Sequence, residues 1–456
     1  MNIKTFLIMT MSKNSNIDVK VKDLRKSRYS YLFMDKGNCY VYSSMTNMLL
    51  QLSQEIYEFL VTGNIHGLLS VKEGKSFEFL LSKKIINSET EDDDLRNILK
   101  INYLQSSYQT SHMNLTLLPT EGCNLRCPYC FETEKSGMSM SDEVIDQDVR
   151  YIKERSCVKT LSITWFGGEP LLRYDIIEKL LLKLTSIDNK KIISQSIVTN
   201  GTIINEEILR LFRKYPLDNI QFTIDGTKEE HNKKRFFAPN KGTYSIIINN
   251  IKRFCESFPN TKVSIRINVD KNVSPKFVEI CREIRREINV KHRYNLNIYP
   301  GILKATGKSC DSCFFNSEDK QQFYNNLLEI GMDYLKYPER RIGGCTASSI
   351  SSLVIGADGL IYRCWEDVGD KTMVVGSVFD NKKLNPILFS RYMELGSPFS
   401  SERCMECSFL PICRGGCPKQ RMKCETEDQF NQLCCVEILN DQEILKKVLL
   451  KRINGN

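Results

Sequence analysis

Fourteen of the eighteen cysteines in this 456-residue chain lie either in the run Cys123–Cys130 or between Cys310 and Cys435, many of them at gaps of two to five residues. Thiols spaced this closely are cross-linked or hold metal. Disulfide scaffolds belong to short secreted chains, and this chain is long. One short apolar patch, Phe6–Met9, lies in a polar N-terminal stretch; it lacks the apolar region and cleavage site of a signal peptide. No apolar run reaches membrane-spanning length. The expectation is a cytoplasmic protein in a reducing compartment, with its clustered cysteines as metal ligands. The formal charge of +9 does not point to nucleic acid, because the basic residues are scattered among acids and metal-bound thiolates would offset part of it. No nucleic-acid partner and no membrane partner is expected.

A chain of this length exceeds one core, so two or three domains are expected. Residues 1–108 show no metal-ligand spacing. Tyr29–Tyr42 alternates like a hairpin with Asp35, Lys36 and Gly37 at the turn. Thr46–Leu60 and Phe77–Leu81 have helical periodicity, and the acidic run Glu89–Asp94 follows. This predicts a small α+β module. Across residues 109–309 the strand-like runs Leu115–Leu118, Leu161–Phe166, Ser194–Thr199, Ile220–Ile224, Val263–Val269 and Tyr294–Tyr299 alternate with helical stretches such as Ile176–Leu184, Glu206–Lys214 and Tyr244–Cys255. That alternation predicts an α/β domain with a parallel sheet, open or partly closed into a barrel. Residues 310–456 lose the alternation and carry the second cysteine group.

EGCNLRCPYCFE places Cys123, Cys127 and Cys130 at C-x3-C-x2-C, in a loop that follows a strand. Three thiolates from one loop fill three corners of a cubane cluster and leave the fourth iron open. Thiolates suit zinc as well as iron–sulfur clusters, so spacing alone does not choose. A structural zinc site closes its shell with four protein ligands. No fourth cysteine is near, and His112 is expected on the far side of the preceding strand. Tyr129 and Phe131 beside the last cysteine would dry the site. Further motifs follow in order: WFGGEP, SIVTNG, FTIDGTKEEHNKKR and SIRINVD, each at a strand end.

Taken together these motifs resemble the radical S-adenosylmethionine superfamily, whose signature is the C-x3-C-x2-C loop after the first barrel strand. The resemblance implies a partial (β/α)6 TIM-type barrel. It implies that Gly167, Gly168 and Glu169 meet the methionine amino group, with the two glycines exposing backbone for close ligand approach. Thr199 and Asn200 would lie near the ribose. Arg235 would pair the methionine carboxylate, a fitting role for a guanidinium. Asn268 would lie near the adenine, and Tyr129 and Asp225 complete the cofactor-binding set.

The C-terminal third reads Cys345, then Gly359-x4-Cys364, then C-x2-C-x5-C-x3-C over Cys404, Cys407, Cys413 and Cys417, with Cys434 and Cys435 downstream. A zinc ribbon would use four of these and leave the rest idle. The pattern is similar to the SPASM domain, a cysteine-rich extension with two auxiliary clusters. The resemblance implies an outer cluster on Cys404, Cys407, Cys413 and Cys435 (or Cys434), and an inner one on Cys345, Cys364 and Cys417. The inner set has an open position unless Cys310 or Cys313 fills it. Cys39, Cys157, Cys255, Cys281 and Cys424 are expected to be ordinary buried thiols.

The expected cofactors are therefore three 4Fe–4S clusters and S-adenosylmethionine, fed by a flavodoxin- or ferredoxin-type electron donor. SPASM enzymes mostly modify peptides. The N-terminal module resembles the winged-helix-like domain with which maturases of ribosomal peptides pair a leader peptide to an edge strand. The implied activity is radical modification of such a precursor peptide, as a thioether or other crosslink. The alternative is sulfatase maturation, forming formylglycine from Cys or Ser.

Overall fold

The computed structural model describes residues 23–64, 74–130, 137–237, 241–289, 295–303, 315, 317–330, 338–380, 385–413, 415–424, 426, 429 and 442–451. The chain divides into two compact units: the described residues up to Lys100 with Glu406–Ile412, and the remainder.

The first unit is α+β, as its sequence predicts. Strands β1 (Leu24–Lys26), β2 (Ser30–Asp35), β3 (Asn38–Ser43) and β4 (Met48–Leu52) are followed by helices α1 (Gln54–Thr62) and α2 (Gly74–Ser82) and strand β5 (Ile86–Ser88). Strands β2, β3 and β4 form an antiparallel sheet, and β1 pairs with β5. The hairpin turns on Lys36 and Gly37, both at positive φ (47° and 78°). This is the twist-matched two-residue turn that glycine favours. The helix expected over Thr46–Leu60 is half strand. Asn47 takes positive φ (56°) and reverses the chain, so Met48 pairs with Ser43. The helix starts only at Gln54, capped by Ser53. A second turn overrode the apolar period there. The acidic run opens helix α3 (Glu89–Tyr108), where carboxylates favour the positive end of the helix dipole. The division between the units at residue 100 falls inside this helix.

In the second unit, six parallel strands stand side by side in chain order: β6 (His112–Leu117), β7 (Thr160–Trp165), β8 (Lys191–Thr199), β9 (Asn219–Ile224), β10 (Lys262–Val269) and β11 (Leu296–Ile302). Helices α4 (Asp142–Lys153), α5 (Tyr174–Thr185), α6 (Glu206–Lys214), α7 (Lys228–Lys234), α8 (Tyr244–Ser257) and α9 (Phe277–Ile288) make the crossovers. Alternate residues of β6, β7 and β9 are buried, among them Leu115, Leu117, Ile163, Trp165, Phe222 and Ile224 under the helices. Ser141, Asn205 and Thr227 cap α4, α6 and α7, the last through a complete capping box with Glu230. Each such cap is worth about 1 kcal/mol.

The barrel is not closed. The free edge of β6 is taken by β12 (Ser352–Ile355), parallel to it, and the sheet continues through β13 (Leu360–Tyr362) and β14 (Gly376–Ser377). The cysteine-rich segment thus extends the same sheet. Helices α10 (Ser317–Glu329), α11 (Pro386–Leu395), α12 (Glu402–Met405), α13 (Pro418–Arg421) and α14 (Gln442–Lys451) complete the described elements. No helix among the described residues is long and apolar enough to cross a membrane.

Candidate functional site

The cysteine loop leaves the C-terminal end of β6, and the end of β7 lies directly on it. Gly168 donates its N–H to Thr120 O at 3.2 Å, and Glu169 donates to Gly122 O at 2.9 Å. A Cβ on Gly167 would stand 2.3 Å from Thr120 O, and one on Gly168 would stand 2.4 Å from Gly122 O. The glycines are therefore required by backbone-on-backbone packing. The close approach that the glycines allow here is that of the loop carrying the cysteines, which their α-carbons face.

Glu169 is fully buried. Its Oε1 accepts from Thr199 Oγ1 at 2.8 Å and from Leu171 N at 3.0 Å, and its Oε2 accepts from Asn200 N at 2.6 Å. Burial raises its pKa, and these hydrogen bonds and Arg235 oppose the rise. Asn200 in turn donates to Asn124 Oδ1 at 2.8 Å, reaches Cys123 Sγ at 3.8 Å, and accepts from Thr202. Asn124 donates to Thr202 Oγ1 at 2.9 Å. Thr199 and Asn200, expected near a ribose, are thus buried and spend these groups on fixing the cysteine loop. Asn124 and Thr202 belong to this lock and were not singled out from the sequence; a short polar residue inside C-x3-C was the available signal.

A second network closes the floor beneath the loop. The Tyr129 hydroxyl donates to Asp225, and Arg235 Nη1 donates to the same hydroxyl at 3.1 Å. Asn268 Nδ2 donates to Asp225 Oδ1 at 2.9 Å, and Arg235 stands 4.0 Å from that oxygen. Residues from the cysteine loop, the ends of β9 and β10 and the end of α7 therefore meet. Burial raises the Asp225 carboxyl, opposed by Arg235 and Lys234. Burial also disfavours the Arg235 charge, but Asp225 and then Cys127 and Cys123 hold it, so its pKa ends raised.

His231, buried within the quoted fourth-strand motif, was missed. Its Nδ1 accepts from Asp225 N at 3.2 Å. Its Nε2 lies 3.0 Å from Thr243 Oγ1, which donates to Arg235 O at 2.8 Å. The ring thus carries its proton on Nε2 and fixes both ends of the Asp225–Arg235 pair. Burial pushes its pKa down to about 3, with Arg235 assisting.

In the second cysteine group, Cys345, Cys364 and Cys417 stand at the N-caps of short helical turns, Thr346–Ser348, Trp365–Asp367 and α13, and none of the three side chains makes a capping hydrogen bond. Helix α11 packs on both the Cys345 turn and α13. Its Tyr392 donates to Asp367 in the Cys364 turn, and Asp367 pairs with Lys419 of α13 at 2.9 Å. Burial pushes the Cys364 thiol up to about 12. Cys404 accepts from the buried Arg421 at 3.4 Å. Cys407 belongs to the first unit and Cys413 to the second. Cys435, Cys434, Cys310, Cys313 and Phe131 lie outside the described residues. Of the remaining cysteines, Cys39, Cys255 and Cys281 are buried as expected, whereas Cys157 is exposed and Cys424 half-buried. Cys157 follows α4 on the surface, where no apolar face covers it.

A cavity of about 350 Å³ opens at the other end of β6, lined by His112, Asn114 and Cys345 among others. His112 is thus remote from the first cysteine loop, as expected. Among the described residues no three His, Cys, Asp or Glu side chains are placed to hold a single metal ion. A cubane cluster asks for something else, since each of its thiolates binds a different iron. The donor set fits that group and its partner. Three thiols leave one clamped loop, and the buried Arg235 beside two of them keeps an Nε with no partner among the described residues.

Residues 117–284 match the Radical SAM superfamily. The chain is 26% identical over 365 residues to the cysteine-type anaerobic sulfatase-maturating enzyme of Clostridium perfringens (strain 13 / Type A), covering 71% of this chain and 93% of that one. It is 24% identical over 323 residues to the serine-type enzyme of Klebsiella aerogenes, covering 65% and 77%. The solved structure of native anSMEcpe with bound AdoMet and Cp18Cys peptide has the same fold, with a TM-score of 0.55 at 22% identity, over 75% of this chain and 99% of that chain. Residues 117–284 thus carry a radical S-adenosylmethionine domain, in a chain similar to the anaerobic sulfatase-maturating enzymes, and the cofactors that go with such a domain are S-adenosylmethionine and 4Fe–4S clusters.

Proposed function

We propose that this radical S-adenosylmethionine enzyme modifies a ribosomally made precursor peptide, introducing a thioether or other crosslink. The observation that carries this reading is a surplus of chain. The anSMEcpe structure is matched over nearly its whole length, yet a quarter of this chain has no counterpart in it. The first unit is about that size. Its small antiparallel sheet has two outer strands, β2 and β4, and an outer strand is a ready template for an extended leader. The bound Cp18Cys peptide of anSMEcpe supports a peptide as the substrate class.

Cys123, Cys127 and Cys130 would hold the first cluster, and Cys345, Cys364, Cys404, Cys407, Cys413, Cys417 and Cys435 the auxiliary ones. When bound, the first cluster and S-adenosylmethionine supply one-electron reductive cleavage and a hydrogen-abstracting radical. The chain's own residues hold this chemistry in place. The Glu169–Asn200–Asn124 lock fixes the cysteine loop against β7 and β8. The Arg235 guanidinium offers its spare Nε and its charge to the methionine carboxylate. Tyr129 and Asn268 hold Asp225 over the strand ends, and Gly167–Glu169 would present backbone rather than side chain to the methionine amino group. A flavodoxin- or ferredoxin-type donor would deliver the electron.

The second reading, formylglycine formation, is favoured by the identities of the two relatives. Coexpression with a genomically neighbouring cysteine-containing small peptide, and separately with a sulfatase, decides between them by mass spectrometry. Loss of H2 from the peptide, dependent on Cys123 and abolished by deleting residues 1–100, is expected. An unmodified peptide beside a sulfatase bearing formylglycine would replace this reading with the second.

A further inference from the structure

Arg363 is a buried cation with no carboxylate partner among the described residues. It lies between Tyr362 and Cys364 and is only 2% exposed. Its Nε and Nη2 donate to Ala347 O at 3.2 and 2.8 Å, and its Nη1 donates to Ser352 O at 2.6 Å. The face of Phe389 covers its Cζ at 4.3 Å. No carboxylate acts on it among the described residues; the groups that do are Tyr392, Cys345 and Tyr151. Carbonyl groups solvate a guanidinium but do not neutralise it, and a buried, unbalanced charge costs several kcal/mol.

Two cysteines of the inner set flank this cation, and helix α11 connects it to the turn led by the third. Ala347, which takes two of its hydrogen bonds, is in the turn that Cys345 caps, and Cys364 is its chain neighbour. Phe389 is on α11, the helix that packs on both the Cys345 turn and the turn led by Cys417. Asp367 is not available as a counter-ion, because Lys419 and the Tyr392 hydroxyl already hold it. What the site lacks is negative charge, and three thiolates around an iron–sulfur cluster would bring it. Such a cluster gains one further negative charge when it accepts an electron, and its potential follows the charges and hydrogen bonds around its sulfurs.

We propose that Arg363 is the built-in counter-charge of a cluster held by Cys345, Cys364 and Cys417, and that it raises the reduction potential of that cluster, so that the oxidised cluster takes the one electron that the peptide radical loses, together with a proton, as the new bond forms. The proposal rests on the reading of those cysteines as cluster ligands, and it makes Arg363 a positioning residue that acts through the cluster.

The test uses the full chain with Cys123, Cys127 and Cys130 all changed to Ala, so that only auxiliary clusters remain. It is reconstituted anaerobically with iron and sulfide, counted for iron and titrated with dithionite while paramagnetic resonance is recorded. A Cys364→Ala variant identifies the inner signal; unchanged iron and signal in that variant would overturn the cluster reading, and the proposal with it. With that signal assigned, Arg363→Met is expected to keep the iron and lower the midpoint potential. Arg363→Lys, which keeps the charge but loses the fork, is expected to stay near the parent. A potential unmoved by Arg363→Met overturns the proposal. So does an Arg363→Lys variant that shifts as far as Arg363→Met, which would assign the effect to the carbonyl cradle. If Arg363→Met does not fold, Arg363→Lys with parental iron and potential supports the charge role, and a folded Arg363→Lys that has lost the inner signal overturns it.

Discussion

Glu169 Oε2 accepts the backbone N–H of Asn200 at 2.6 Å, inside a site that excludes solvent from the carboxylate altogether. Two strand ends are thereby held by one side chain, because the other oxygen serves Leu171 N and Thr199 Oγ1. A glutamine has the same shape but only one acceptor oxygen. Whichever way its amide is turned, one backbone N–H loses its acceptor and meets an NH2 group. Glu169→Gln is expected to destabilise the apo chain by about 2 kcal/mol, read from urea unfolding followed by circular dichroism. Unchanged stability would mean that the carboxylate does not perform this clamp.

Gly168 sets the distance between β7 and the cysteine loop. A methyl group there would meet both Gly122 O and Glu121 O at 2.4–2.5 Å, and neither carbonyl is the tip of a flexible side chain. Gly168→Ala is expected to cost about 3 kcal/mol by overpacking. It is also expected to lower iron loading of the first cluster, since the loop carrying Cys123 must move. Normal iron content with only S-adenosylmethionine binding reduced would instead assign the glycine to ligand approach.

The parallel sheet and the three loop cysteines were legible because each rests on local pattern: alternation, capping residues and fixed spacing. The strand Met48–Leu52 was not, since its apolar run fits a helix until Asn47 turns the chain back. The packing role of Gly167 and Gly168 was not legible for a related reason. A Gly-Gly pair announces close approach without saying of what, and the approaching body is the backbone of residues 120–122. Asn124 acts through residues more than 70 positions away, and His231 and Arg363 act through loop and strand-end groups brought to them by the fold; such partners leave no period in the sequence.

The burial of His231 makes stability depend on pH. The unfolded chain takes up a proton near the ordinary histidine value of about 6.5, whereas the folded ring resists it down to about 3. The unfolded state thus binds more protons in that window, so the contribution is complete above pH ~6.5 and is lost as pH falls toward 3. Comparison with His231→Gln removes the opposing effects of Glu169 and Asp225, whose raised pKa values are common to both chains. The stability advantage of the parent over His231→Gln is expected to shrink by about 1 kcal/mol between pH 6.5 and 5.5. Parallel curves would show that the ring is protonated as readily in the folded chain.

Arg235 is expected to affect binding of S-adenosylmethionine more than binding of iron. Its side chain comes from the end of α7, not from the cysteine loop, and among the described residues it hydrogen-bonds to the loop through the Tyr129 hydroxyl at 3.1 Å. Lysine keeps the positive charge beside Asp225 but carries one nitrogen in place of the fork. Contact with both Tyr129 and a carboxylate ligand is then lost, together with the spare Nε. A charge-assisted hydrogen bond is worth about 1.5–3 kcal/mol, so Arg235→Lys is expected to weaken S-adenosylmethionine binding by about ten- to a hundred-fold. Equilibrium dialysis against reconstituted protein, with iron counted in the same sample, checks both quantities. Undiminished binding would leave Arg235 as a prop for Asp225, and iron lost in parallel would place its main effect on Cys123 and Cys127, whose thiols already act on it.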